Sequence, residues 1–420
     1  MRIFFSVGEP SGDLHGSNLI RRLKSHDPEI EFVGFGGPKM EAAGCRLHFE
    51  LTSMAVMFIA EVLKNIRLFF RLIGDANQYF ASHQVDAVVL IDYPGFNWWI
   101  ARKAKRHGIP VFYYGVPQVW AWAPWRVRKI RKYVDHALCK LPFEADWFAK
   151  RKCHANYVGH PYFDQLAAQT YDEQFIHEMT GGGQALLTLL PGSRNREVRE
   201  VLPILLKAAK QTTDQLGNCR VAIAFFNQHQ QEISEDMIRC SGLPVECFVG
   251  RTPELMKSAT VCIACSGSVS MELLFHRKPT VIVYKVKRWA MLAQAIVFRA
   301  KFITLVNLIA TADIRKKTWK PFDPDENGAE PFVMPEYLTA GDPSTKVARH
   351  VIRWMSDDEL RECKVSEMDA LALKYAIPGA SDRAADYILQ QLKLENGKLD
   401  PSHQTVPDNS LGHPNNVSAA

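Results

Sequence analysis

The chain has 420 residues, 47% of them hydrophobic, which is enough apolar sequence to bury a substantial core and excludes a single small module. Its net charge of +6, from 51 basic and 45 acidic side chains, is too mild to argue for nucleic acid by itself. Nine cysteines are scattered from Cys45 to Cys363, an odd number without the dense spacing of a secreted disulfide scaffold, so a reducing cytoplasm is expected.

In chain order, the first third alternates β-rich runs with helical patterns, and "RIFFSV", "IEFVGF", "DAVVLI", "IPVFYYGV" and "DHALCKL" read as strands. Several are almost continuously apolar, as parallel strands covered on both faces are, so a doubly wound α/β domain is expected over 1–165. The one basic residue and short apolar run ahead of Gly8-Glu9-Pro10 do not make a signal peptide. No uncharged run reaches the roughly 18 residues that span a bilayer, so a cytoplasmic protein touching a membrane from one side is expected. A polar, glycine-rich linker over 166–183 ends in "TGGGQ". A second set of strands follows over 184–394, "ALLTLLPG", "CRVAIAFF", "ATVCIACSG" and "PTVIVYKV", giving two Rossmann-like domains. Cys262 and Cys265, the one CxxC, fall inside a buried strand with their thiols on opposite faces, so no zinc site is expected. From Thr311 to Pro343 the sequence reads as irregular, and from Pro343 to Leu394 as helical. Residues 395–420 have too little apolar surface to offset ordering entropy and are expected to be disordered.

In open parallel sheets ligands bind beyond the carboxyl ends of the strands, so the residues just after each apolar run carry the functional signal. "SVGEPSGDLHG" runs from a strand through a glycine turn into a helix like a phosphate loop, yet it places Glu9 and Asp13 where phosphate would sit, with Ser11 and Gly12 between them. Asp92 closes the apolar run "AVVLID". A partly desolvated carboxylate there suits general-base work on a hydroxyl, while an Asp before Tyr-Pro-Gly is also a turn former, and both roles stay open. His160 follows a further strand in "YVGHPY". "LPGSRNREVREVLP" is the phosphate candidate, because Ser193, Arg194 and Arg196 stand at a helix start where backbone N–H groups and the helix dipole favour an anion. "SGSVSMELL" offers Ser266, Gly267 and, one turn in, Glu272, whose carboxylate is either a ribose acceptor or a helix cap.

"MAVMFIAEVLKNIRLFFRL", residues 54–72, reads as one helix. Lys64, Arg67 and Arg71 form a basic stripe beside Met57, Phe58, Val62, Phe69 and Phe70, the pattern of a helix lying on anionic lipid or of a buried crossover helix with charges at its rim. The basic clusters at 126–132 and 285–302 accompany apolar helices and fit an anionic membrane better than nucleic acid.

Ten segments, "GEPSGDLHG", "GFGGPKMEAAG", "MAVMFIAEVL", "IDYPGFN", "YGVPQVWAW", "LPFE", "YVGHP", "LLPGSRNREV", "CSGSVSMELL" and "LVNLIA", resemble in order and spacing the lipid-A-disaccharide synthase family. The resemblance implies a GT-B glycosyltransferase of two Rossmann-like domains facing across a cleft. It implies transfer of 2,3-diacylglucosamine from its UDP conjugate to 2,3-diacylglucosamine 1-phosphate, with inversion to the β-1,6 disaccharide and release of UDP. Neither a metal nor another cofactor is implied by the resemblance. The family's essential Asp falls on Asp92, its essential Arg on Arg194 and its acidic loop residue on Glu9. Uridine and diphosphate contacts fall on Ser193, Arg194, Ser266, Gly267, Glu272 and Asn307; Ser11, Gly12 and His160 complete the expected substrate-binding set. The inner face of the cytoplasmic membrane is the implied surface, and a homodimer is left open. Many members carry a second Asp where this chain has Gly95, and Gly where it has Thr311. A UDP-sugar 2-epimerase-like enzyme and an inactive lipid-binding protein are the alternatives; an NAD-dependent oxidoreductase is disfavoured because the opening loop has no GxGxxG.

Overall fold

The computed structural model describes residues 1–54, 66–265, 267–291, 298–315, 322–326 and 331–395. Its contacts divide the chain into two units, Met1–Ala167 with the segment from Ile377 onward, and Ala168–Ala376.

In the first unit, β1 (Arg2–Val7), β2 (Glu31–Gly36), β3 (Cys45–Glu50), β4 (Ala87–Ile91), β5 (Val111–Tyr114), β6 (His136–Cys139) and β7 (Ala155–Tyr157) form one sheet. Its order is β3-β2-β1-β4-β5-β6-β7, with all pairs parallel. Every residue of β4, β5 and β6 is buried, which is why these strands read as unbroken apolar runs. On one face, Ile3, Phe5 and Val7 pack with Leu19, Ile20 and Leu23 of α1 (Pro10–His26). On the other, Phe4, Val88 and Leu90 share a core with Leu72, Ile73 and Phe80 of α3 (Ile66–Ser82) and Ile100 of α4 (Pro94–Arg106). The short α2 (Pro38–Ala42) follows β2.

The second unit repeats the plan with β8 (Ala185–Leu190), β9 (Cys219–Phe225), β10 (Glu246–Val249), β11 (Val261–Cys265), β12 (Thr280–Lys285) and β13 (Glu336–Thr339), in the parallel order β10-β9-β8-β11-β12-β13. The long α5 (Asn195–Leu216) and α8 (Ser344–Ser356) cover one face through Val198, Leu202, Leu205, Val347 and Val351. The short α6 (Val269–Phe275) and α7 (Leu305–Ala310) follow β11 and β12. Cys262 and Cys265 are buried in β11, and burial pushes the Cys262 thiol up to about 12.

Four expectations change. The segment expected as a linker contains the helix Glu173–Thr180, capped by Asp172 and tied to the second unit by the Arg251–Asp172 ion pair at 2.7 Å. The stretch expected to be irregular contains β13, hidden in the sequence by Pro335 before it and by Glu336 at its first position. The expected C-terminal helical stretch breaks into α8, α9 (Asp358–Tyr375) and α10 (Ala380–Glu395). The last of these belongs to the first unit rather than the second, because Ala384, Ala385, Ile388 and Leu392 complete its core. Arg22 and His26 of α1 then pair with Asp382 and Asp386 at 3.0 and 3.1 Å.

For the expected apolar helix, Met57, Phe58, Val62 and Lys64 lie outside the described residues, and α3 is described from Ile66. Arg67, Phe70 and Arg71 are exposed, but the Phe69 ring turns to the core and packs 5.7 Å from that of Phe96, which removes it from the expected outer face. Among the described residues no helix is long and apolar enough to cross a membrane.

Candidate active site

Both sheets reverse strand order at their first strand, so the loops after β1 and β4, and those after β8 and β11, leave their sheets as neighbours. In the first unit Val7 lies opposite Ile91, which brings Gly8-Glu9 and Asp92 out side by side. Close packing fixes the arrangement. A β-carbon on Gly8 would sit 2.4 Å from ring atoms of Tyr93, and one on Gly12 would sit 3.2 Å from Asp92 Oδ2.

Asp92 and Tyr93 both have left-handed backbones, with φ of 48° and 42°, a conformation that costs non-glycine residues about 1–3 kcal/mol each. Asn97, fully buried in α4, holds the turn. Its Nδ2 donates to the carbonyls of Ser6, Ile91 and Asp92 at 3.1, 3.2 and 2.8 Å, and its Oδ1 accepts from Ser6 Oγ at 2.6 Å. The Tyr113 hydroxyl adds a donation to the Asp92 carbonyl at 2.6 Å. The Asp92 backbone is thus anchored while its carboxylate stays partly open to solvent.

The two acids of the opening loop separate in role. Asp13 is buried, and its oxygens accept from the backbone N–H groups of Gly37, Lys39 and Met40 at 3.1, 3.0 and 3.0 Å, capping α2. Glu9 is exposed, yet partial desolvation and then the Asp92 carboxylate push its pKa up, with Lys140 pulling it back.

Lys140, His15 and His160 complete the edge. Lys140 follows β6 and brings Nζ to 3.7 Å from Asp92 Oδ1. Burial, then Lys140, pushes His15 down to about 4, and the same causes hold His160 well below the ordinary histidine range, so both rings are neutral at pH 7. His160 Nδ1 accepts from Tyr162 N at 3.3 Å. Ser11 is exposed and Gly12 buried in the first turn of α1.

In the second unit Leu190 lies opposite Ala264, so the turn Pro191-Gly192-Ser193 and the turn at Gly267 leave β8 and β11 together. Gly192 has φ of 116°, and a β-carbon there would meet Glu197 Oε2 at 2.7 Å. Glu197 closes the start of the 22-residue α5, accepting from Arg194 N at 3.2 Å and from Arg194 Nη1 at 2.8 Å. Arg194 is otherwise open, with 79% of its side chain exposed, and Ser193 beside it is also exposed. Gly267 is exposed with φ of 152°, Glu272 is buried in the first turn of α6, and Ser266 lies outside the described residues.

Asn307, expected as a nucleotide contact, is buried in α7. Its Nδ2 donates to Met334 O and Glu336 Oε2 at 2.7 and 3.1 Å, and its Oδ1 accepts from Val333 N and Met334 N at 3.0 and 2.9 Å. Those bonds use up the amide, so Asn307 acts as a buried brace between α7 and β13. Glu336 joins the brace through Ile303 N, Thr304 N and the Thr304 hydroxyl.

The profile of the Lipid-A-disaccharide synthetase family matches residues 3–321. The chain belongs to this family. It is therefore read as a glycosyltransferase of lipid A biosynthesis. The lipid-A-disaccharide synthase of Geobacter sulfurreducens is 30% identical over 392 residues, covering 93% of this chain and 97% of that one. In fold, a putative UDP-N-acetylglucosamine 2-epimerase from Listeria monocytogenes matches with a TM-score of 0.60 at 11% identity, over 95% of this chain and 97% of the other. Acinetobacter baumannii MurG matches with a TM-score of 0.52 at 13% identity, over 93% and 99%. At those identities the likeness is one of fold, the GT-B plan of two parallel-sheet units.

Sequence reasoning missed Lys140 and His15 in this family member. "DHALCKL" reads as strand through Lys140, whereas β6 stops at Cys139 and leaves Lys140 as the first residue beyond the carboxyl end, the position that flagged Asp92. His15 lies inside the opening motif, and only its burial against Lys140 distinguishes it from a surface helix residue.

Proposed function

We propose that the chain transfers a 2,3-diacylglucosamine unit from its UDP conjugate to the 6-hydroxyl of 2,3-diacylglucosamine 1-phosphate, with the first unit binding the acceptor and the second the donor. The carrying observation is the pair of carboxylates, Glu9 and Asp92, side by side at the switch point of the first sheet. Asp92 accepts the proton of the acceptor hydroxyl as its oxygen attacks C1 of the donor sugar. The bond from C1 to the β-phosphate breaks, the configuration inverts, and UDP leaves with the bonding pair. Arg194 exchanges its Glu197 partner for the diphosphate at the N-terminus of α5, where guanidinium and helix dipole offset the growing charge. Glu9 orients acceptor hydroxyls.

Acylated substrates call for contact with a membrane, and exposed aromatic residues on the first unit support that reading. Phe70, Trp99 and Trp125 are 59%, 43% and 60% exposed, the Phe70 and Trp99 rings lie 6.4 Å apart, and Arg67 and Arg71 flank Phe70. Arg126, next to Trp125 in sequence, stacks 4.5 Å over Trp122. Aromatic residues among cations fit an anionic bilayer surface.

The test is incubation of purified protein with both acyl sugars in mild detergent, reading UDP and disaccharide. Disaccharide is expected from the unsubstituted chain, with losses of about 10²-fold or more in kcat for Asp92→Asn and Arg194→Ala. Absence of turnover with both substrates overturns the activity, and near-normal rates in both folded variants overturn the site.

A further inference from the structure

Asp92 has two carboxylate oxygens in different surroundings. Oδ2 is turned toward the first turn of α1, where the missing side chain of Gly12 leaves it room. Oδ1 faces the Lys140 ammonium at 3.7 Å, and only 17% and 20% of the two side chains are exposed. Lys140 reaches across the sheet edge because Gly115, with φ of 70° after β5, has no side chain: a β-carbon there would stand 3.1 Å from Lys140 Cδ and Cε. The backbone behind Lys140 is fixed as well, since Glu144 Oε2 accepts from the N–H groups of Lys140 and Leu141 at 3.1 and 3.0 Å. Both ends of the contact are therefore held, one by the Asn97 bonds and the other by Glu144 and the space at Gly115.

We propose that Lys140 is a positioning residue that holds Asp92 by Oδ1 beside Glu9 and leaves Oδ2 as the oxygen that receives the proton. The proposal rests on the acceptor reading of the first unit. Two carboxylates emerging from adjacent strands repel each other, and an ammonium 3.7 Å from one of them offsets that repulsion. The other groups facing this ammonium are His15 from α1, His160 beyond β7 and Glu144 behind it. Both imidazoles are uncharged at pH 7, so Lys140 is the cation that balances Glu9 and Asp92.

The experiment compares Lys140→Met, Lys140→Gln and Lys140→Arg with the unsubstituted protein in two readouts. The first is the pH profile of kcat/KM for disaccharide formation. The second needs no turnover: a ¹³C carboxyl titration of the Asp92 signal, assigned by its loss in Asp92→Asn. A unit charge at 3.7 Å, partly screened, is expected to move both by about one pH unit. In Lys140→Met and Lys140→Gln the acid limb and the carboxyl midpoint shift up together by that amount, and Lys140→Arg restores both; a purely structural role would lower rates without moving either. An Asp92 midpoint unmoved in whichever neutral variant folds overturns the proposal. If the unsubstituted protein makes no disaccharide, the acceptor reading fails, and the carboxyl titration still decides whether Lys140 holds Asp92.

Discussion

Asn97→Leu isolates the network behind Asp92. The substitution keeps the branched shape and heavy-atom count of the side chain, so no cavity opens, but it removes every hydrogen bond the amide makes. Ser6 Oγ loses its acceptor at 2.6 Å, and the carbonyls of Ser6, Ile91 and Asp92 each lose a donor. Tyr113 still serves the Asp92 carbonyl, so the uncompensated groups are those of Ser6 and Ile91. At about 1–3 kcal/mol for each buried polar group left unmet, a loss of about 3 kcal/mol in stability is expected. The same bonds balance the left-handed backbones of Asp92 and Tyr93, which relax when the amide is gone and carry the carboxylate with them. Equilibrium urea unfolding followed by tryptophan fluorescence, run beside steady-state kinetics, reads both effects. The expected result is a lowered midpoint, a kcat reduced at least tenfold and a KM for the UDP-sugar close to that of the unsubstituted chain. An unchanged midpoint, or a full kcat at a lowered midpoint, would show that Asn97 does not hold the turn.

Three further outcomes follow from the same geometry. Asp13→Asn replaces one acceptor oxygen by an NH₂ facing backbone donors of α2 and is expected to cost about 2 kcal/mol of stability with kcat retained, whereas Glu9→Gln should leave the urea midpoint in place and lower kcat. Gly95 is an exposed helical position with open space around a β-carbon, so Gly95→Ala, checked by thermal melting, is expected to raise stability by about 0.5–1 kcal/mol. Burial lowers His15, His136 and His276 from 6.5 to about 4, so each disfavours protonation only in the folded state. That stability is complete above pH 6.5 and is lost as the pH falls toward 4, amounting to about 2 kcal/mol per histidine at pH 5. Urea midpoints at pH 7 and pH 5 should show the fall, and His136→Gln should reduce it; equal midpoints would refute it.

The sheets were legible because buried parallel strands have to be apolar on both faces, and β4 or β8 leaves no other reading of its sequence. What was hidden is set by tertiary contact. Nothing local marks α10 as part of the first unit, since an amphipathic helix reports that it has an apolar face and not which core receives it. Asn307 shows the same limit at a single residue. An asparagine after two apolar residues in a recognised motif reads as a ligand contact, and only the positions of Val333, Met334 and Glu336, far along the chain, show its amide already occupied.

The opening loop carries this furthest. Glu9 and Asp13 stand four residues apart on a segment laid out like a phosphate loop, and composition cannot rank them. Their neighbours do. Three backbone N–H groups from α2 converge on Asp13 and consume its charge as a cap, while Glu9 meets Asp92 with Lys140 alongside. A loop whose N–H groups would serve a phosphate in another nucleotide-binding protein is here closed by its own carboxylate at one end and leaves Glu9 exposed at the other. In the proposed reading the anion is met in the second unit, where Ser193 and Arg194 lead into the longest helix among the described residues. The same topological position in two sheets thus holds opposite charge, which fits an acceptor to be deprotonated at the first and a diphosphate to be neutralised at the second.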